Sequence, residues 1–153
     1  MRLIYLIILT GFICFSIISC EPCGLIKCKS SNYSAQFRIV SKADGKDLVF
    51  GANKIYDKNL IKFYSLKGLD TTFFEYQTIK FPDIGYDSIL FVQFLPQTNI
   101  AYMRLSNGDI DTLSLTYRQI EESKCCPSIT EIENIRFNNT TDLAGGRTQE
   151  LKK

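Results

Sequence analysis

Cysteine is the residue type in this chain that is most able to do chemistry. The sequence has 153 residues and six cysteines. Cys20, Cys23 and Cys28 stand close together after a long apolar run, and Cys125 and Cys126 are adjacent. A thiolate can hold a metal ion, exchange disulfides or carry a lipid, so the surroundings of each cysteine decide its use.

The apolar run indicates export. Arg2 is followed by residues 3–18, which contain no charged side chain. A positive charge before such a run is typical of a signal peptide, and the run is shorter than the about 20 residues that a transmembrane helix needs. We therefore predict that residues 1–19 are a signal peptide and take no part in the fold.

The end of this run carries a more specific motif, Ile17-Ile18-Ser19-Cys20. It resembles the lipobox of bacterial lipoproteins, with an aliphatic residue three positions before the cysteine and a small residue directly before it. The resemblance implies that the chain is cut before Cys20 and that Cys20 is acylated on its sulfur, as by palmitate, and on its new amino group. Several acyl chains anchor a protein firmly in a lipid bilayer. We expect an outer-membrane protein of the bacterial cell envelope, on either the periplasmic or the surface face.

Export would place the other four mature cysteines in an oxidising compartment, where an even set indicates disulfides. A bridge between the adjacent Cys125 and Cys126 would be strained. We therefore expect Cys23 and Cys28 each to pair with one of these two. A four-thiolate metal site and a redox pair stay open as alternatives, although Cys125-Cys126 lacks the two to four residues that usually separate paired cysteines in zinc sites.

Enzymatic chemistry has few side chains to use. The sequence contains no histidine, which removes the usual general base and every Ser-His or Cys-His pair. It also lacks a Ser-x-x-Lys motif and a glycine-rich phosphate loop. The formal net charge of +2 argues against nucleic acid as a partner. We predict a non-enzymatic protein without a cofactor.

Oxygen ligands are the remaining candidates for a metal site. Asn107, Asp109 and Asp111 alternate along the chain, and alternate residues of a strand project to one side. Calcium takes six to eight oxygen ligands, and this segment lacks the bidentate glutamate of a calcium loop. We expect these residues to serve turn formation and solubility.

Short runs of aromatic and β-branched residues, separated by turn residues, are typical of the strands of a sandwich or barrel. They occupy residues 33–41, 48–50, 60–66, 72–81, 88–95, 99–106, 109–117 and 128–137. The sequence predicts an all-β fold, an antiparallel β-sandwich of about seven strands that is immunoglobulin-like or transthyretin-like, with a small β-barrel as the alternative.

Three local patterns refine this prediction. Asn107-Gly108 predicts a hairpin with a type I′ turn, which needs positive φ at both positions. Ile132 has the opposite parity to Ile135, which suggests a bulge or a different element in residues 128–137. Four tyrosines in or near the runs are expected to pack in the core or across strands, and stacking on a sugar or partner is the alternative. They are Tyr64, Tyr76, Tyr86 and Tyr102.

The predicted order along the chain has four segments. These are a signal peptide over residues 1–19, a lipid-anchored linker bearing cysteines over 20–32, a β-sandwich domain over 33–138 and a polar tail over 139–153. The tail is expected to fray because it is polar and contains glycine.

Together these features resemble small lipoproteins of Bacteroidota-type bacteria. The residues concerned are the lipobox, the linker with its cysteines, the strand NGD-x-DTL-x-L-x-Y and Cys125-Cys126-Pro127. The resemblance implies that Thr71, Ser88 and Thr112, each preceded by aspartate, are candidate O-glycosylation acceptors. Chance matches are the alternative reading of these sites.

Three functions are consistent with the sequence. The first is a binding or structural module for an envelope protein or glycan, because the chain combines a lipid tether and a β scaffold with few catalytic groups. The second is an inhibitor or immunity-type lipoprotein, whose loops would block another protein. The third is a thiol redox lipoprotein that uses Cys125-Cys126.

We expect Cys20→Ser to abolish lipid attachment, since the lipobox assigns acylation to that thiol. The variant should remain unlabelled by radioactive palmitate and keep the mass of the uncleaved chain. Cys14→Ser, a cysteine change inside the apolar run, is the matched control and should be labelled and cleaved normally. Normal labelling of Cys20→Ser would show that the lipobox interpretation is wrong.

Overall fold

The computed structural model describes residues 26–80, 88–121, 124–139, 141–144 and 148–153. The predicted signal peptide, Cys20, Cys23 and Tyr86 lie outside these residues. The chain divides into two compact units, and each is described separately. The smaller unit combines Met1–Lys29 with Glu121–Ser128, and the larger combines Ser30–Ile120 with Ile129–Lys153.

The described part of the larger unit is built from ten β-strands and one 3-10 turn, Lys58–Leu60. The strands are β1 (Ser34–Val40), β2 (Lys62–Lys67), β3 (Asp70–Phe74), β4 (Tyr76–Lys80), β5 (Ser88–Gln93), β6 (Ile100–Ser106), β7 (Asp109–Ile120), β8 (Ile129–Phe137), β9 (Thr141–Ala144) and β10 (Thr148–Lys152). No described residue belongs to a helix that is long and apolar enough to cross a membrane.

The strands form a β-sandwich, as predicted. One sheet has the order β10-β1-β5-β4 and the other the order β3-β2-β6-β7-β8-β9. Every pairing is antiparallel except that of β1 with β10, which is parallel. Among the described strands the two sheets stay separate, so the alternative of a small closed barrel is not realised.

The order of β1 to β7 is that of an immunoglobulin-type sandwich. In that fold strands B, E and D share one sheet, and strands C′, C, F and G share the other. Here β1-β5-β4 and β3-β2-β6-β7 take those places, while β8 and β9 extend the second sheet and β10 lies beside β1. Of the two predicted sandwich types, the immunoglobulin-like one therefore describes this strand order.

The run predicted as one strand over residues 72–81 is two strands, one in each sheet. β3 ends at Phe74 and β4 begins at Tyr76, so the chain changes sheets at Glu75. The backbone N–H of Gln93 donates to the Glu75 carbonyl at 3.3 Å. Phe74 and Tyr76 both pack on the core, so the alternation continues through the change of sheet and the sequence pattern does not reveal it.

Aromatic rings from both sheets meet in the core. Phe37 of β1 and Phe63 of β2 stack with ring centroids 5.9 Å apart. Phe94, which follows β5, meets Phe74 of β3 edge-on at 5.3 Å. Such pairs contribute about 0.5–1.5 kcal/mol beyond the burial of their area. These contacts hold the two sheets face to face.

The predicted bulge in β8 is confirmed. Thr116 pairs with Asn134 and Tyr117 with Ile132, so β8 has one residue more than β7 at this point. The extra residue restores the inward direction of both Ile132 and Ile135, which are 6% and 1% exposed.

The hairpin at Asn107-Gly108 forms, but the predicted type I′ turn is wrong. Gly108 has φ of 91°, whereas Asn107 is not among the residues with positive φ. The pairing register shifts between Arg104 and Ser106. A bulge beside the turn, rather than the turn alone, therefore accommodates the twist of the two strands.

Residues 48–50, predicted as a short strand, form a bend. The Asp47 carboxylate accepts hydrogen bonds from the backbone N–H groups of Val49 and Phe50 at 2.9 and 2.8 Å. These bonds turn the chain, as aspartate side chains commonly do.

The described part of the predicted tail, residues 139, 141–144 and 148–153, does not fray as predicted. β9 pairs with β8 and β10 pairs with β1, and Leu151 of β10 is fully buried. The pattern of the tail is weakly apolar, so the sequence alone did not indicate strands. The open edge of β1 supplies backbone partners that the sequence pattern does not show.

In the smaller unit Cys28 is disulfide-bonded to Cys126, which confirms the predicted pairing of Cys28 with one of the two adjacent cysteines. Cys125 is also disulfide-bonded; Cys23, the other predicted bridge partner, lies outside the described residues. The Cys28–Cys126 bridge has a sequence separation of 98. In the chain-entropy model a loop of about 100 residues corresponds to about 4.7 kcal/mol.

We predict that Leu151→Ala lowers the free energy of unfolding by about 2–5 kcal/mol, because it opens a cavity in the closed core. Lys152→Ala, at the exposed next position, should change it by no more than about 0.5 kcal/mol. Urea unfolding followed by tyrosine fluorescence measures both. Equal unfolding midpoints for the two variants would show that β10 does not belong to the folded domain.

Candidate functional site

The aspartates of the β6–β7 hairpin lie in a polar network. Lys153 Nζ is 2.6 Å from Oδ1 of Asp109 and 2.9 Å from each carboxylate oxygen of Asp111. The Tyr56 hydroxyl donates to Oδ2 of Asp109 at 2.7 Å, and the Asn138 amide donates to Oδ1 of Asp111 at 2.6 Å. We call these five residues the Lys153 network.

The fold positions each member of this network. The side-chain carbonyl of Asn138 accepts from the backbone N–H of Thr112 at 2.8 Å, and its own backbone N–H donates to the Thr112 carbonyl at 2.9 Å. Lys153 follows β10, and its N–H donates to the carbonyl of Val40 at 2.9 Å. The network therefore ties the end of β10, in one sheet, to β7 in the other.

Burial and hydrogen bonding oppose each other in the network. Burial raises the pKa of Asp109, but hydrogen bonds from Lys153 and Tyr56 outweigh it and hold that pKa below its ordinary value. Burial lowers the pKa of Lys153, and the bonds to the two carboxylates outweigh it and raise that pKa. Burial, followed by the bond to Asp109, raises the pKa of Tyr56 to about 12. At neutral pH Lys153 is an ammonium and not a nucleophile.

The ammonium of Lys153 takes the place that a bound cation would need between Asp109 and Asp111. Asn107 lies exposed in the turn. In the described part of the chain no cluster of three or more Cys, Asp or Glu side chains could hold a metal ion. The network is an ion-pair link between sheets, and its role is structural.

A second feature lies on the outer face of the six-stranded sheet, which points away from the core. Tyr64 of β2 stands opposite Phe73 of β3 on one side and Tyr102 of β6 on the other. The Tyr64 and Tyr102 rings stack at 5.4 Å, and the Tyr64 and Phe73 rings lie 6.0 Å apart. We define the outer-face patch by the apolar and aromatic side chains that share this face, which are Tyr64, Leu66, Phe73, Ile100, Tyr102 and Ile110.

The patch is exposed to solvent. Phe73 is 61% exposed, Leu66 and Ile110 are each 51% exposed, and Ile100 is 49% exposed. Leu69, at the tip of the β2–β3 hairpin, is fully exposed. Single exposed apolar residues are ordinary, but a contiguous group of them marks an interaction surface.

Two cations border the outer-face patch. Lys62 stands directly opposite Arg104 in the pairing of β2 with β6. The Lys62 ammonium lies 5.6 Å from the centroid of the Phe73 ring. Among the described residues, no carboxylate lies within 4 Å of either cation. Like charges in opposing positions destabilise an antiparallel pair.

An open groove adjoins the patch where the chain changes sheets. Its volume is about 390 Å³, and its lining includes Phe73, Phe74, Tyr76, Lys62 and Glu75. Pockets for small ligands usually measure about 300–1,000 Å³. Phe73 belongs to both the groove and the outer-face patch, and Lys62 lines the groove and borders the patch. The groove and the patch therefore form one continuous surface.

The candidate glycosylation sites differ in accessibility. Thr71 is exposed opposite Leu66, and Thr112 is half-buried opposite Tyr102, so both border the outer-face patch. Ser88 is only 5% exposed. Ser88 is therefore the least accessible of the three candidate acceptors.

Sequence reasoning placed the three described tyrosines correctly but missed the patch. Tyr64 and Tyr102 pack across strands, and Tyr76 packs edge-on against core Phe63 at 5.6 Å. The signal that could have revealed the patch was the set of residues in each strand that alternate with the core-facing ones. Leu66, Ile100 and Ile110 alternate with inward residues, at positions where a sandwich strand is usually polar.

Comparison of the chain with protein-family models, curated proteins and solved structures finds no match.

Lys153→Met should lower the free energy of unfolding at pH 7 by about 1–3 kcal/mol, because it leaves two carboxylates without their cation. The pKa of Asp109 is lower in the folded state. Its stabilising contribution is therefore present above the unfolded pKa of 3.8 and is lost as the pH falls through the folded value. The deficit of the variant should shrink between about pH 5 and pH 2.

Urea unfolding at pH 7 and at about pH 2 measures this deficit in the free energy of unfolding. Lys152→Met, which removes the neighbouring exposed ammonium, is the matched control and should show no such deficit. A deficit of equal size at low and neutral pH would contradict an ionic role for Lys153.

Proposed function

We propose that this protein is a non-enzymatic lipoprotein of the bacterial cell envelope that binds a partner protein through the outer-face patch. The observation that carries the proposal is the shared exposure of Leu66, Phe73, Ile100 and Ile110 on one sheet face. The fold does not require apolar side chains at these positions, because that face points away from the core. Covering them would remove apolar area from water.

The composition of the patch favours a protein as the partner over a glycan. Aromatic side chains stack on sugars, but half of the patch is aliphatic. The cores of protein interfaces are enriched in tyrosine, phenylalanine and arginine and depleted in acidic residues. Tyr64, Tyr102 and Phe73, with Arg104 beside them, follow that composition.

Two further observations support the envelope part of the proposal. The segment Ile17-Ile18-Ser19-Cys20 resembles a lipobox, which implies an outer-membrane anchor. The disulfide between Cys28 and Cys126 fits an oxidising compartment, because such bonds are rare in the cytosol. The redox hypothesis has less support, because Cys126 is bonded to Cys28 rather than to Cys125.

An inhibitor or immunity-type role is a special case of the same proposal, in which the partner is an enzyme or toxin. The feature that favours it is the β2–β3 hairpin, whose tip presents the fully exposed Leu69 next to Gly68 with φ of 64°. A narrow apolar tip of this kind can enter a cleft.

We expect a photoreactive phenylalanine analogue at position 73 to cross-link one defined protein in intact cells, since Phe73 is at the exposed rim of the patch. The same analogue at position 95 should give no such adduct, because Leu95 is similarly exposed, at 53%, but follows β5 of the other sheet. Mass spectrometry identifies the adduct.

Affinity measurements with the purified partner then test the patch directly. Leu66→Asp should weaken binding at least about tenfold, which corresponds to 1.4 kcal/mol, and Leu95→Asp should leave it unchanged. Equal binding by both variants, or an adduct that is a polysaccharide, would contradict the proposal.

A further inference from the structure

The opposed cations beside the outer-face patch impose a requirement on whatever covers it. Lys62 and Arg104 are paired across β2 and β6, two residue pairs from Tyr64 and Tyr102 and therefore on the same face of the sheet. A partner that covers the two tyrosines also removes water from the two cations. Desolvating a cation without a counter-charge costs several kcal/mol, so the partner must provide an anion at this position.

From this requirement we propose that the partner presents a carboxylate next to an apolar side chain. The carboxylate binds Lys62 and Arg104, and the apolar side chain rests on the rings of Tyr64 and Phe73. This inference rests on the proposed function and names the chemistry of the partner at the same surface.

Charge complementarity also selects among occupants. A second copy of this chain would bring the same two cations to the interface, and the outer-face patch itself contains no acidic residue. Asp109 and Asp111, which flank Ile110 in sequence, are bound to Lys153, and Glu75 of the groove is exposed and makes no ion pair with Lys62. An acidic protein segment therefore fits the surface better than self-association does.

The groove supplies the second half of the recognition. It continues from the patch through Phe73, and Phe74 and Tyr76 line it with Ile61. Residues that contribute most to protein binding are typically apolar or aromatic side chains seated in such pockets. The partner segment thus combines an anchoring side chain for the groove with an acidic residue one or a few positions away.

A displayed library of random 12-residue peptides, selected on the full mature protein, tests the inference. Enriched peptides should contain aspartate or glutamate close to an aromatic or aliphatic residue. The affinity of a synthetic representative should fall as the salt concentration rises, because added ions screen exposed charges.

Charge variants give the decisive comparison. Lys62→Glu combined with Arg104→Glu should weaken peptide binding at least tenfold at low salt, while Lys54→Glu, an exposed lysine in the β1–β2 loop, should leave it unchanged. Lys62→Gln combined with Arg104→Gln should weaken binding without lowering the thermal midpoint, since it removes the repulsion between the cations. This neutral variant separates a loss of binding from a loss of folding.

Four outcomes would overturn the inference. Peptides without acidic residues, or undiminished binding by the charge variants, would reject the carboxylate while Leu66→Asp still reports on the patch itself. If neither Leu66→Asp nor the charge variants lose binding, the proposed function is rejected as well. Binding of polygalacturonate, but not of peptides, that depends on Lys62 and Arg104 would reject a protein partner in favour of an acidic glycan.

Discussion

Each strand of a two-layer sandwich can bury only one of its faces, and this constraint decides how the whole chain is used. Inward residues such as Phe37, Phe63 and Leu113 are fully buried and hold the sheets together. Residues of the other parity face water, where folding places no demand for apolar side chains. The apolar residues on the outer face of β2, β3, β6 and β7 are therefore not required by the core, and the binding function proposed above would account for them.

The same constraint explains the closure of the sandwich. β1 would have an open edge, and β10 covers it by parallel pairing while Leu151 completes the core. The Lys153 network then links this strand to β7 across the layers. The sequence contained candidate oxygen ligands for a metal at the β6–β7 hairpin. In the structure a lysine lies between two of these aspartates and links the two sheets.

The outer-face patch, the two cations and the groove form one surface, whose apolar and charged parts place different requirements on a partner. Apolar rings and aliphatic side chains gain from being covered, whereas Lys62 and Arg104 can be covered only by a partner with opposite charge. In the proposed complex, the apolar part would supply affinity and the charged part would restrict which partner can bind. A lipid anchor at Cys20, as the lipobox resemblance implies, would present this surface at the membrane.

The sequence by itself determined the all-β class and the positions of most strands, because strand alternation is a local property of the chain, and the adjacency of Cys125 and Cys126 indicated that Cys28 bonds to one of them. The sequence did not determine the change of sheet at Glu75, the strand order or the pairing of β10, since these depend on which backbone edges meet in space. The Lys153 network joins residues far apart in sequence, and the Lys62–Arg104 pair exists only in the register of β2 with β6. Tertiary structure alone decided these features, because alternation tells which residues share a face but not which strands lie side by side.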